Sequence, residues 1–540
     1  MEPNLLAAPV NRIRPGLSAV ALVAVSSAAF ILSFPPYRFP LLPWLALVPL
    51  FVALHLARTT ASAAALAALW GLLSAYGITA WLPRAIANYY QQPFLLGLGL
   101  FVATSAVMGA SQYALFAAAC HRVARLRPPS PFFVAAAWVA AELGRCRLFG
   151  GNPWGLVGYT LAGAHPGESS PQLMEWLLRL PVQVADLGGV YAVSFVVVAW
   201  NAAFANVLVA LWRRRSTQTL DSSDAIRRMV AAAALVAIAA GYGHYRLAQL
   251  AASVTAPVEV AIVQGNVNLG ATWRAELYGR NFDVYLKGTL DALRQSPSLV
   301  VWPENSMSFF VEDEPLYRKA IERALAPSGA QLIAGGPSHT APSPPEYFNS
   351  AYLFSPQGNI VARYDKEKLL PFAERFPFGA ITFLRRSFGK VREFTPGVRL
   401  APLPSVAGRA GVLICNEIMF AELPVARVRD GAQFLVNLSN DTWIGDDVYS
   451  LNHLAIGAIR AIETRRVLVR ASTSGPSAFV DAMGRVFASS LSDRSTVLTS
   501  GVTPSSVVTP YVRFGDLFAF ACLAIVALRA LTIGRAAVTP

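Results

Sequence analysis

The chain has 540 residues, 54% of them hydrophobic, with a mean hydropathy of +0.45 and a formal net charge of +14. It is longer than one ordinary domain and too apolar for a soluble enzyme throughout, so a membrane-embedded part is expected. The charge does not mark a nucleic-acid binder, because many arginines flank hydrophobic stretches instead of forming a basic stripe with interleaved aromatics.

A helix needs about 20 apolar residues to cross a bilayer. Gly16 to Phe34 is long, uncharged and without an evident cleavage site, so it is expected to be a retained membrane helix. Further spans are expected at about 41–57, 61–82, 93–120, 130–143, 187–212 and 229–245, and a last one at about 514–533, eight in all. The fifth is short and can extend into the loop after it. Arg12 and Arg14, Arg58, Arg122 to Arg127, Arg213 to Arg228, and Arg529 and Arg535 all fall on one side if the spans alternate. Both termini are therefore expected in the cytoplasm, and residues 250–510 on the opposite face, the periplasm in a Gram-negative bacterium.

Three segments mark the membrane part: Phe34-Pro35-Pro36 after the first span, and the polar Glu142-Leu143-Gly144-Arg145 with Gly150-Gly151-Asn152-Pro153-Trp154-Gly155, and Gln183-Val184-Ala185-Asp186-Leu187-Gly188-Gly189. Polar groups at membrane depth are costly unless paired or facing water. They either serve substrate handling or cap helices and bind the loop to the domain that follows.

That domain reads as α/β. Val258–Val263, Leu299–Trp302, Gln331–Ala334, Ser350–Phe354, Val412–Ile414, Phe434–Val436, Val467–Val469 and Ala478–Val480 are strand-like, bounded by Gly, Pro, Asn or Ser. Helical patterns lie at about 277–294, 314–325 and 450–465. Paired sheets covered by helices fit this alternation. The expected organisation is a transmembrane domain of seven helices over 1–249, an extracytoplasmic catalytic domain over 250–510, and a last helix with a cytoplasmic tail over 511–540.

Three positions in this domain carry chemistry. The apolar run Gly411-Val412-Leu413-Ile414 delivers Cys415 at a strand end, where a rigid sheet would fix the sulfur and the following backbone N–H groups could face an oxyanion. Leu299-Val300-Val301-Trp302-Pro303-Glu304 ends in an acid in the same way, and Tyr364-Asp365-Lys366 supplies an ammonium, with Glu374 eight residues further on. A carboxylate to take the thiol proton, a lysine to hold thiolate and oxyanion, and a thiolate to attack make a nucleophilic set. Taken singly, Cys415 reads first as a small buried hydrophobe and the charges as surface groups; it is their combination that points to catalysis. The remaining cysteines, Cys120, Cys146 and Cys522, form with Cys415 neither a paired framework nor a Cys-x-x-Cys metal spacing. There is no His-Glu-x-x-His and no phosphate-binding glycine loop, so neither metal nor cofactor is expected.

Trp302-Pro303-Glu304, Asp365-Lys366-Glu367-Lys368-Leu369-Leu370-Pro371-Phe372-Ala373-Glu374, Ile414-Cys415-Asn416-Glu417 and Asn437-Leu438-Ser439-Asn440-Asp441-Thr442-Trp443 together resemble the nitrilase superfamily and, more narrowly, the apolipoprotein N-acyltransferase family. The membrane-loop segments resemble what that family places there. The resemblance implies a multi-span α-helical membrane domain plus a nitrilase-like αββα sandwich. It implies a Glu304, Lys366, Cys415 triad, with Glu374 as a second carboxylate, Glu417 as an acid two residues after the cysteine, and Trp273 in substrate handling or as a packing aromatic. Lys368 is the rival to Lys366, which the spacing to Glu374 favours. Asn416 stands where the family usually has an aromatic residue, its backbone N–H still available to an oxyanion. Ala471-Ser472-Thr473-Ser474-Gly475 likewise replaces a run that more often contains Asn-Thr-Gly.

The implied donor is a phospholipid, typically phosphatidylethanolamine giving up its sn-1 chain. The implied acceptor is the α-amine of the diacylglyceryl-cysteine that begins an apolipoprotein, reached through a thioester by ping-pong kinetics. A membrane-anchored amidase and a transporter or scaffold with a degenerate domain are the competing classes. The first would need only one anchor helix, and the second would not need all three chemical groups.

Overall fold

The computed structural model describes residues 15–124, 129–162, 179–215, 222–251, 256–267, 278–340, 345–371, 373–376 and 393–536. The N-terminal region is helical: α1 (Pro15–Leu32), α2 (Val48–Leu56), α3 (Thr60–Ile78), α4 (Trp81–Tyr90), α5 (Phe94–Ser105), α6 (Ser111–Ala124), α7 (Pro131–Arg147), α8 (Ala185–Arg215) and α9 (Ser222–Ala251). Local chemistry sets several starts. Thr59 and Ser62 form a reciprocal cap at α3, and Ser130 accepts from the Phe133 N–H with Pro131 in the first turn of α7.

Among the described residues, four helices are long and apolar enough to cross a membrane: Thr60–Ile78, Phe94–Ala124, Ala185–Arg213 and Ser223–Leu250. Shorter apolar helices, Gly16–Leu32, Leu42–Leu56 and Leu517–Thr532, occupy the first, second and last expected spans. The expected fifth span is α7, which runs on through Glu142, Arg145 and Arg147. The expected third span breaks at Thr79, and the chain continues into α4.

Among the described residues, the rest is an α/β domain of two six-stranded sheets. The first has the order β12-β1-β2-β3-β4-β5 and the second β11-β10-β9-β8-β7-β6. The strands are β1 (Val258–Gln264), β2 (Leu299–Val301), β3 (Gln331–His339), β4 (Tyr347–Phe354), β5 (Ile360–Asp365), β6 (Leu403–Ser405), β7 (Gly408–Ile414), β8 (Phe434–Ser439), β9 (Leu468–Ser472), β10 (Ala478–Val480), β11 (Val486–Ser489) and β12 (Thr496–Val502). Parallel β1, β2 and β3, and parallel β7, β8 and β9, form the centres. These strands are covered on both faces, which is why they read as unbroken apolar runs. The four strands the sequence did not announce, β5, β6, β11 and β12, lie at or next to sheet edges, and most of their residues are only partly buried.

Val260, Ile262 and Val301 of the first sheet face Val412, Ile414 and Val436 of the second. Outside the first sheet, Val300, Trp302 and Leu332 pack under Phe282 of α10 (Tyr278–Leu293) and Leu325 of α11 (Pro315–Leu325). Outside the second sheet, α12 (Glu422–Arg429) and α13 (Asp447–Thr464) complete an αββα sandwich. Leu454 and Ile459 of α13 cover Leu413 and Leu468, and the same apolar cluster continues into Val190 and Val193 of α8. The catalytic-type domain and the membrane helices thus share one core.

Charged groups lock that shared face. Arg465 at the end of α13 donates Nε and Nη2 to Asp186 at 2.9 and 2.8 Å and Nη1 to the Gln183 side chain at 2.7 Å. Tyr242 and Arg246 of α9 hold the same carboxylate. Just beyond, α8 kinks at Gly188 and Gly189. Gly189 has φ +66°, and a Cβ there would lie 2.5 Å from the Tyr511 ring, so only glycine admits the short α14 (Pro510–Phe514) that leads into α15 (Leu517–Ala536). Removing one member of a buried ion pair leaves an uncompensated charge, at a cost of about 3–5 kcal/mol. Asp186→Ala is therefore expected to lower the unfolding midpoint of the detergent-solubilised protein substantially, read by tryptophan fluorescence on heating. An unchanged midpoint would show that the pair carries no stability.

Candidate active site

Cys415, Glu304 and Lys366 meet at the carboxyl ends of strands from both sheets. Cys415 directly follows β7 and opens a 3₁₀ turn over Cys415–Met419. Its φ of 52° is left-handed, an uncommon and strained state for a residue with a Cβ, and one that turns the side chain out of the strand line. The residue is 3% exposed. Glu304 comes three residues after β2, and Lys366 follows β5 with its N–H donating to the Asn349 carbonyl at 2.8 Å. That bond extends the β4–β5 ladder by one residue and fixes where the lysine leaves the sheet.

One frame holds the charged groups. Lys366 Nζ lies 2.9 Å from Glu374 and 3.5 Å from Glu304 Oε1. Asn349 Nδ2 donates to Glu304 Oε1 at 2.8 Å and to Glu374 Oε1 at 2.7 Å. The Asn440 N–H reaches Glu304 Oε2 at 2.9 Å, and the Leu370 N–H reaches Glu374 Oε2 at 2.7 Å. Every oxygen of both carboxylates thus has a donor, as buried charges require.

Burial is the largest influence on each group. It raises the Glu304 carboxyl, with Lys366 opposing. It works against the Lys366 ammonium, but Glu374 and Glu304 outweigh it and hold the lysine above its ordinary value. It also pushes the Cys415 thiol up, helped by Glu304 and opposed by Lys366. The sequence led us to expect Lys366 to lower the thiol, and it does pull that way, but desolvation with Glu304, Asp441 and Glu374 outweighs it. These influences favour the thiol over the thiolate at rest, and the carboxyl beside it, Glu304, is raised in basicity.

Glu417 is fully buried and accepts only from donors. These are Tyr364 Oη at 2.8 Å and the N–H groups of Glu367, Lys368 and Ile414 at 2.7, 3.0 and 2.7 Å. It ties the lysine loop to the cysteine turn. Burial pushes its carboxyl up to about 7, against the donors and Lys366. Because the folded value lies above the ordinary 4.5, Glu417 contributes stability that is present below about 4.5 and lost as pH rises through about 7. Protonation, however, puts a hydrogen among four donors and loosens the site. Between pH 7 and 5 the rate of acylation is therefore expected to fall while this group's stability contribution rises. Glu417→Gln should flatten that stability slope and be slow at every pH, checked by unfolding midpoints and acylation rates; a native-like slope would sink the assignment.

Lys368 is not part of this centre. Its Nζ sits 3.5 Å over the Phe420 ring and 3.4 Å from Glu422. Asn416 is buried, its Nδ2 3.5 Å from the Lys368 carbonyl and its Oδ1 without a partner among the described residues. Trp273 lies outside the described residues.

The sequence reading missed several supports. Asn349, the brace between the two carboxylates, sits in an ordinary strand pattern with nothing local to announce it. Beneath the cysteine, Asn437 Nδ2 donates to the carbonyls of Leu413 and Cys415 at 3.1 and 3.2 Å. Arg470 binds Asn437, His453 and Asp441, and Asp441 also accepts from Ser439, Ser450 and Ser472. Tyr449, from the start of α13, places its hydroxyl 4.0 Å from Cys415 Sγ.

An αββα sandwich with a cysteine, a lysine and a glutamate gathered at its strand ends, sharing its core with apolar helices, defines a membrane-associated protein with a carbon–nitrogen hydrolase domain. Residues 259–509 match the carbon–nitrogen hydrolase family, and residues 26–203 match the apolipoprotein N-acyltransferase N-terminal domain. An apolipoprotein N-acyltransferase from Geobacter metallireducens is 30% identical over 511 residues, 93% of each chain. The one from Caulobacter vibrioides is 31% identical over 440 residues, covering 77% of this chain and 76% of that one. The chain belongs to the apolipoprotein N-acyltransferase family. An amidase of the nitrilase superfamily from Nesterenkonia AN1 is also similar, at 18% identity and a TM-score of 0.38, over 50% of this chain and 98% of that chain.

Proposed function

We propose that the chain transfers an acyl group from a phospholipid to the α-amine of the diacylglyceryl-cysteine at the start of an apolipoprotein, by a two-step mechanism through Cys415. The observation that carries this reading is the buried frame in which Asn349 and Lys366 bind both carboxylates beside the cysteine. In the first step Glu304 takes the thiol proton as sulfur attacks the ester carbonyl. Lys366 and backbone N–H near Asn416 bear the oxyanion. Collapse expels the lysophospholipid alkoxide, which recovers the proton from Glu304 and leaves a thioester. In the second step the neutral amine attacks, Glu304 receives its proton, and the departing thiolate takes that proton back. Glu374 orients Lys366, and Trp273 handles substrate.

In this reading residues 1–249 form a seven-helix membrane domain, 250–510 the catalytic domain and 511–540 a last helix and tail. The eight spans place both termini in the cytoplasm and the catalytic domain in the periplasm, on the inner membrane. The alternative, an amidase that passes the acyl group to water, needs no bundle of helices built into its core.

The test is intact-protein mass spectrometry after incubation with phosphatidylethanolamine and no acceptor. The expected result is a hydroxylamine-labile acyl adduct that survives in buffer and is discharged by a diacylglyceryl-cysteine peptide. An adduct that water discharges as fast as the peptide would favour the amidase.

A further inference from the structure

Tyr449 is buried, at 3% exposure, and its hydroxyl has a single hydrogen-bond partner among the described residues, Cys415 Sγ at 4.0 Å. The geometry lets either atom donate, and proton accounting favours the phenol. The thiol hydrogen of Cys415 goes to Glu304. Burial, then Cys415 and Asp441, hold the Tyr449 phenol well above its ordinary value, so it keeps its own hydrogen. The sulfur therefore accepts from the phenol.

The ring is clamped. It stacks on His453 at 5.4 Å and 13° between planes, meets Trp81 edge-on at 4.8 Å and 73°, and touches Trp154 at 5.6 Å. Trp81 opens α4, and Trp154 belongs to the loop after α7, where its carbonyl accepts from Arg145 at 2.5 Å. Two rings from the membrane region thus aim a catalytic-domain hydroxyl at the sulfur. His453, its Nδ1 facing Arg470, is held at a pKa of about 3 by burial and then by that guanidinium, so it is neutral and cannot replace the phenol as a charge. The other groups facing the sulfur are Glu304, Glu374 and Asp441, all acids, and Lys366.

We infer that Tyr449 is a catalytic residue whose hydroxyl donates a hydrogen bond to the Cys415 sulfur whenever that sulfur is a thiolate, as attacking and as leaving group. The inference rests on the reading of Cys415 as the nucleophile. At 4.0 Å the contact is long for a neutral thiol. Negative charge on sulfur shortens and strengthens it, while a thioester sulfur, lacking that charge, releases it. No proton moves: Glu304 carries the thiol proton in both steps, and Tyr449 stabilises the anion left behind. The phenol thus offsets part of the desolvation that keeps the resting thiol protonated.

Tyr449→Phe removes the donor and keeps the ring, so the aromatic clamp and the fold are preserved. The experiment compares native, Tyr449→Phe and Cys415→Ser full-length proteins in detergent. Iodoacetamide alkylation of the peptide containing Cys415 is followed against pH, together with thioester formation from phosphatidylethanolamine. Loss of one hydrogen bond to a charged group predicts an alkaline shift of about one pH unit in the alkylation profile and about tenfold slower thioester formation at neutral pH. Superimposable profiles, or slower acylation with an unshifted profile, would overturn the inference and leave Tyr449 as packing. An acyl adduct that persists in Cys415→Ser would instead overturn the nucleophile on which it rests.

Discussion

Cys415→Ser is expected to form no acyl adduct and to lose turnover by a factor of at least about 10⁴. The reason is the setting of the sulfur. Burial, with Glu304, Asp441 and Glu374, pushes the thiol up and so disfavours a preformed negative charge on the nucleophile. In the proposed mechanism Glu304 takes the proton as attack occurs. A thiol with an ordinary pKa of about 8.5 can be met by a carboxylate of raised basicity, but an alcohol, several units weaker as an acid, cannot. Serine preserves size, and the backbone at φ 52° already tolerates a Cβ, so the unfolding midpoint should barely change. Intact-protein mass spectrometry and a gel-shift assay of acceptor acylation check the two halves. A serine variant that acylates at the native rate would mean that the nucleophile lies elsewhere.

Lys366→Met is expected to slow thioester formation by about 10³, through loss of the cation that the proposed mechanism sets against the developing oxyanion. It also has a structural consequence of distinct sign. Without the ammonium, the Asn349 amide still joins Glu304 and Glu374, and two buried carboxylates so close do not both stay ionised. One takes a proton, which limits the stability loss and disables the base. Adding Glu374→Gln should then restore much of the unfolding midpoint while leaving acylation as slow as in the single variant. Recovery of activity in the double variant would contradict the role given to Lys366. Lys366→Arg is expected to fail as well, since the side chain is 2% exposed and a broad planar guanidinium does not substitute for a compact ammonium at a buried position.

Much of this was written in local sequence. Apolar runs announced the membrane helices and the central strands, because a strand covered on both faces must be apolar at every position and a membrane helix nearly so. Residues that end such runs inherit their placement from the sheet, which is why Glu304 and Cys415 stood out as candidates before any fold was known. The mixed sandwich and the narrower family came from motif resemblance, not from periodicity.

The tertiary structure decided the rest. Lys366 and Lys368 are two residues apart with the same charge. Only the ladder bond to Asn349 and the grip of Glu417 on the N–H groups of Glu367 and Lys368 send one into the centre and the other onto Phe420. Asn349, Tyr449 and Arg470 left no local mark, because their partners lie many residues away and any strand or helix could carry them, and Asp441 stood in a legible motif that did not disclose its part as Arg470's partner. The edge strands were silent because half-exposed strands need no apolar run. The upward push on the Cys415 thiol was likewise beyond the sequence, which names the charges around a sulfur while only packing sets how much water is left to screen them.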